Sequence, residues 1–302
     1  MKFVERNPMI MIIIGVMGIS LSAIFVRYSQ APSVVTAAYR LMWTVILLAP
    51  SVVGNRESRR ELKTMGGRDL LLSVISGVFL ALHFALWFES LAHTSVASST
   101  VICCTEVIWV SLGYCLFLKG KLTGKAISAI AVTLAGSVLI ALADSGGEGS
   151  HLYGDVLSLT AAVAVAVYVL IGRIVRERVS TSVYTLVVYL SCMTVLLLIC
   201  LVSGTQLRGY GMRTPVVGLL LAVFSTILGH SIFTWCLKYF SPAFVSASKL
   251  CEPVVAALLA GILFGEIPKP IQWLGGGLIL GGVLYYSRLE GISQKKEKEN
   301  GV

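Results

Sequence analysis

What most constrains this chain is a succession of long apolar runs. Ten can be read along its 302 residues, at about 9–26, 31–53, 70–91, 94–118, 126–143, 156–172, 181–203, 214–237, 242–265 and 271–287. Each is of the length, about 20 residues, that a helix needs to cross the hydrocarbon layer of a bilayer. Connections as short as Ala92–His93 and Lys238–Ser241 turn the flanking helices into antiparallel hairpins. Charged residues make up 13% of the chain and hydrophobic ones 56%, whereas a soluble domain has roughly a quarter charged. A soluble globule and a disordered chain are both excluded, and no room is left for a large catalytic or nucleic-acid-binding domain. The expected fold class is an all-α membrane protein with ten transmembrane helices.

Ten spans put both ends on one side. If that side is the cytoplasm, its connections and ends collect 18 Lys and Arg, against 4 opposite (Arg27, Arg208, Arg213 and Lys269), with Arg40 and Lys249 inside spans. Cytoplasmic loops carry such an excess, so the bias predicts a multi-pass protein of the cell (inner or plasma) membrane with both termini cytoplasmic. It also accounts for the net charge of +9 without a nucleic-acid partner. The first run, after Lys2 and Arg6, is read as a span because no small-residue signal cleavage site follows it.

Sliding the chain on itself by 146 positions lays spans three to five on spans eight to ten without a gap. Leu82, Leu91, Glu106, Leu112 and Gly136 then meet Leu228, Leu237, Glu252, Leu258 and Gly282. The units so defined are 1–145 and 150–290, followed by a basic and polar tail at 291–302. Five spans is an odd number, so the second unit enters the membrane inverted. Inverted repeats around a midplane site are a mark of secondary transporters.

Further residues carry a likeness to a known family. Ala37 to Ala49 with Arg40 inside it, Trp87 through Ser90, Leu91 and Thr94 to Ala97, Glu252-Pro253, Gly265-Glu266 and Gly281-Gly282 resemble EamA-type members of the drug/metabolite transporter superfamily. The likeness spans the chain as two copies of a five-helix unit. It implies ten helices, a central cavity lined by both halves, and movement of small metabolites such as amino acids. The chain departs from the family pattern at Glu106-Val107, where a proline is common, and at Lys119-Gly120, where Gly-Glu is common.

Ionisable groups inside spans cost about 2.5–3.5 kcal/mol on insertion scales, which makes each one a functional candidate. Arg40 is read either as a two-pronged anion ligand or as a structural partner for a glutamate or for helix-end carbonyls. Glu106 and Glu252 are read as ligands for a substrate ammonium or as proton carriers, with ion-paired packing as the alternative. Lys249, three residues before Glu252, is expected to pair with it. Pro253 cannot donate to the carbonyl of Lys249 and predicts a helix break there. His83, His230 and Trp87 complete the candidate substrate site, with Trp109, Trp235, Tyr114 and Tyr168 as further aromatics for stacking or packing.

Gly277 and Gly281 are read as close packing within the fold or as a dimer seam. The seven cysteines are read as small buried hydrophobes. Asp144, Glu148, His151 and Asp155 are read as a solvated outer turn. No catalytic triad, phosphate loop or metal-ligand spacing is found, so neither an enzyme nor a cofactor is expected. The function read from all this is secondary transport of small organic metabolites by alternating access, as an exporter. The alternatives are an exchanger of phosphorylated metabolites or nucleotide-sugars, a polytopic membrane enzyme, a channel or another non-transport membrane protein.

Overall fold

The computed structural model describes residues 8–94, 96–144, 152–252 and 270–299, together with 254, 255, 258, 259 and 262. Every regular element in it is helical: α1 (Pro8–Arg27), α2 (Ser33–Val53), α3 (Arg56–Thr64), α4 (Gly67–His93), α5 (Val96–Cys104), α6 (Glu106–Phe117), α7 (Gly124–Asp144), α8 (Leu152–Val175), α9 (Thr181–Val202), α10 (Arg213–Leu220), the wider-wound π1 (Leu221–Ser231), α11 (Ile232–Cys236), α12 (Pro242–Lys249) and α13 (Pro270–Glu299).

Among the described residues, seven helices are long and apolar enough to cross a membrane, and Gly124–Leu139 is a shorter apolar helix. The expected ninth span, 242–265, lies partly outside the described residues. The expected tenth, 271–287, lies within α13, where Gly275–Gly277, Gly281 and Gly282 dilute the hydropathy.

Three local features go beyond simple spans. The polar segment after α2 forms the short helix α3, capped by Asn55, whose side chain accepts from the backbone N–H of Glu57 and Ser58. The fourth apolar run is two helices, broken at Thr105, whose N–H reaches back only three residues, to Ile102. The third is π1, a continuous π-helix of 11 residues in a run expected to be α. Its side chains reinforce the wider winding, with Thr226 Oγ1 donating to Leu221 O and Ser231 Oγ to Thr226 O, five residues back in each case.

Cross-chain packing follows a pattern. α4 packs on α8 and π1 on α1; α4 also packs on α9, as α10 does on α2; α9 packs on α2, α12 on α6 and α13 on α7. The α9 face is part of the core, with Tyr184, Tyr189, Cys192 and Leu196 fully buried.

The α7–α13 contact depends on two glycines. A Cβ at Gly136 would stand 2.6 Å from Gly275 O, and one at Gly282 would strike Thr133 Oγ1. A Cβ at Gly277 or Gly281 would meet nothing within 4 Å. Close packing within the fold, one of the two readings of that pair, is therefore corrected: the glycines that admit a neighbouring backbone are Gly136 and Gly282. The cysteines are all unpaired; Cys192, Cys200 and Cys236 are buried, whereas Cys115 is exposed.

Candidate functional site

A cavity of about 80 Å³ lies where α1, α2, α4, α5, α6, α8, π1 and α12 converge. Arg40, His83, Trp87, Glu106, His230, Lys249 and Glu252 all line it, so residues spread over more than 200 positions come together around one space. Pro253 lies outside the described residues.

Arg40 is 1% exposed. Its Nε donates to Thr226 Oγ1 at 2.7 Å, and its guanidinium carbon lies 4.4 Å from the centre of the Phe84 ring. The hydroxyl and the ring face hold the guanidinium from two directions. Its two terminal nitrogens have no protein acceptor among the described residues, which leaves a planar fork at the cavity. π1 supplies the anchoring Thr226 and also brings Ser225 and His230 to the wall. π segments often occur at functional sites.

Lys249 donates to Glu106 Oε1 at 2.8 Å, with side chains 12% and 9% exposed. This corrects the expected pair with Glu252. A contact at i,i+3 needs a continuous helix, but α12 ends at Lys249, and the N–H groups of Leu250 and Cys251 reach back only three residues, to Ala247 and Ser248. Lys249 instead meets the carboxylate that opens α6, across the cavity. Glu252 has no hydrogen bond or ion pair to its carboxylate among the described residues.

The break preceding Glu252 falls at 250–251, N-terminal to the proline expected to cause it. Its counterpart at Thr105, just before Glu106, forms without any proline. The Thr105 hydroxyl accompanies it by donating to Ile102 O at 2.6 Å.

His83 is held by Nδ1, 3.0 Å from Ala161 O. A carbonyl only accepts, so Nδ1 carries the proton and a neutral ring has Nε2 as an acceptor. The ring lies parallel to Trp87, and His230 meets the edge of Phe84 at 5.5 Å. Of the other aromatics considered, Tyr168 bonds Thr234 at 2.8 Å and Trp235 packs on Tyr239; neither lines the cavity, nor do Trp109 and Tyr114.

Sequence reasoning missed Ser22, Ser225 and Ser246. Their hydroxyls and the Trp87 indole N–H are buried without a hydrogen-bond partner among the described residues, and all four residues line the cavity. A buried polar group normally finds a partner; four of the eight orphaned groups among the described residues lie on this one space, the others being on Trp109, Ser111, Arg176 and Tyr286. A serine in an apolar run looks like any small packing residue, and no signal in the chain marked these three.

Comparison with known proteins agrees with this architecture. A protein of Clostridium kluyveri described as an uncharacterized transporter is 23% identical over 267 residues, 86% of this chain and 85% of that one. A probable amino-acid metabolite efflux pump of Escherichia coli K12 is 24% identical, covering 96% and 97%. A probable terminal-alkyne amino-acid exporter of Streptantibioticus cattleyicolor is 26% identical over 67% of each chain. A solved crystal structure superimposes with a TM-score of 0.79 at 17% identity, over 94% of this chain and 98% of that one, which shows a shared fold. The family model for EamA-like transporters matches twice, at residues 6–142 and 152–288, and with nearly the whole sequence accounted for in this way the chain belongs to the EamA-like transporter family.

Proposed function

We propose that this transporter is a secondary carrier that exports small organic metabolites bearing both an amino and a carboxylate group, amino acids among them. The observation that carries the reading is the pairing, on one cavity, of two charges unmet among the described residues: the fork of Arg40 and the carboxylate of Glu252. A zwitterion answers both, carboxylate to guanidinium in two parallel hydrogen bonds and ammonium to Glu252, while the orphaned hydroxyls and the indole N–H take up remaining polar groups. Phosphorylated metabolites fit less well, because of the two cations lining the cavity, Lys249 is already committed to Glu106.

The carrier works by alternating access between two inverted five-helix units, 1–145 and 150–290, with 291–302 as a cytoplasmic tail. Two features support the repeat. Most of the main helix contacts have a mate when each span is exchanged for the one five places on, as α4–α8 is matched by π1–α1 and α4–α9 by α10–α2. The helix breaks before Glu106 and Glu252, and the close-packed Gly136 and Gly282, are likewise 146 positions apart. The 18 to 4 cation bias supports cytoplasmic termini in the cell membrane.

The experiment is uptake and efflux of labelled amino acids and phosphorylated metabolites in proteoliposomes. Saturable movement of the amino acids is the expected result. Movement of the phosphorylated compounds alone would reject the reading.

A further inference from the structure

The polar link between α2 and α4 carries a cluster of cations that the cavity does not use. The chain leaves the span α2 at Val53 and enters the span α4 at Gly67. Between them lies α3, nine residues and so about 13 Å long. Tethered to a span at each end, it is confined to the surface where those spans leave the hydrocarbon layer.

One face of α3 is docked on the protein. The Glu61 carboxylate accepts from the backbone N–H of Ser180, which caps the start of α9, and Leu62 and, just past the helix, Met65 pack on the core. At about 100° per residue, Arg56, Arg59, Arg60 and Lys63 fall on the opposite side, within an arc of about 100°. All four are exposed and line one open concavity with Thr64. None forms an ion pair among the described residues, although Glu57 stands three positions before Arg60. A cation bias that only orients a chain is a matter of how many charges lie on one side. It does not call for gathering them on a single face of a docked helix, with both glutamates of that helix outside the arc.

We propose that this face of α3 docks the phosphate headgroups of anionic phospholipids. The phosphodiester is the anion found at that level of a bilayer, a guanidinium meets its oxygens in pairs, and each Lys or Arg beside an anionic surface adds about fivefold to affinity. The contact is separate from the cavity and does not depend on the transport reading.

The test is native mass spectrometry of the full chain in neutral detergent, with equal amounts of phosphatidylglycerol and phosphatidylcholine. Wild type should retain phosphatidylglycerol at least about tenfold more tightly. Two variants each remove three cations: Arg59→Gln, Arg60→Gln and Lys63→Gln together in α3, and Lys119→Gln, Lys121→Gln and Lys125→Gln together, exposed where α6 leads into α7. The first should lose the preference at least about tenfold at unchanged melting temperature, and the second should keep it within about threefold. No preference in wild type, or an undiminished one in the α3 variant, overturns the proposal. Equal loss in both variants overturns it as well, by making the preference a property of total charge. So does displacement of phosphatidylglycerol by an equal amount of inorganic phosphate, which would assign the face to the free anion. Where the α3 variant fails to fold, Arg59→Gln and Arg60→Gln decide singly: a loss of at least about threefold in either upholds the proposal, and a smaller effect in both rejects it.

Discussion

At the scale of single residues, the two glutamates differ in what they hold, and substitution should separate them. The Glu252 carboxylate has no protein partner among the described residues, so Glu252→Gln should keep the fold and melting temperature while solute binding falls at least about tenfold, or about 1.4 kcal/mol. Glu106 holds Lys249 at 2.8 Å, so Glu106→Gln strands a buried cation and should cost about 3–5 kcal/mol of stability. Adding Lys249→Met should recover most of it. Thermal melts of the purified variants check both. Arg40, Glu106, Lys249 and Glu252 were legible in the chain because charge is scarce in spans and stands out. Their pairing was not, because spacing along a chain reports a neighbour only while the helix continues, and α12 stops at Lys249. Ser22, Ser225 and Ser246 were silent for the opposite reason, since small hydroxyl residues are common in apolar helices.

At the scale of elements, hydropathy found most of the long helices and their edges to within a few residues. It did not find the divisions inside them. The break at Thr105, the π winding of Leu221–Ser231 and the short helix Arg56–Thr64 were not legible, because hydropathy registers which residues are apolar and not how the backbone among them is bonded. Glycine spacing misled as well: the pair four apart in α13 faces open space, while single glycines on α7 and α13 meet across the helix contact. Gly136→Val should therefore push into Gly275 and Ile279 and destabilise the protein by about 1–3 kcal/mol. Gly277→Ala should be neutral or stabilising by up to about 1 kcal/mol, the helix-propensity difference. Equal losses in both, measured by thermal unfolding in detergent, would contradict this packing.

At the scale of the whole molecule, the odd number of spans per half was the most informative reading the chain offered. It paired two glutamates 146 positions apart, and both line a single cavity; the inverted repeat and the midplane position of that cavity belong to the proposal. Orientation rests on the cation bias alone, so it is open to direct test. In a cysteine-less background, a cysteine at Arg59, on the exposed face of α3, should react with an impermeant maleimide only after the cells are opened. One at Met212, between α9 and α10, should react in intact cells. The reverse pattern would invert the proposed topology. The measurement closest to the central claim, that this cavity holds an amino-carboxylate solute between Arg40 and Glu252, is equilibrium binding of labelled amino acids to the purified protein. Wild type should bind saturably, and Arg40→Lys, which keeps the charge but loses the fork, should lose affinity at least about tenfold in protein that still folds, as should Glu252→Gln at unchanged melting temperature. Undiminished binding in both folded variants would place the solute elsewhere and contradict the site.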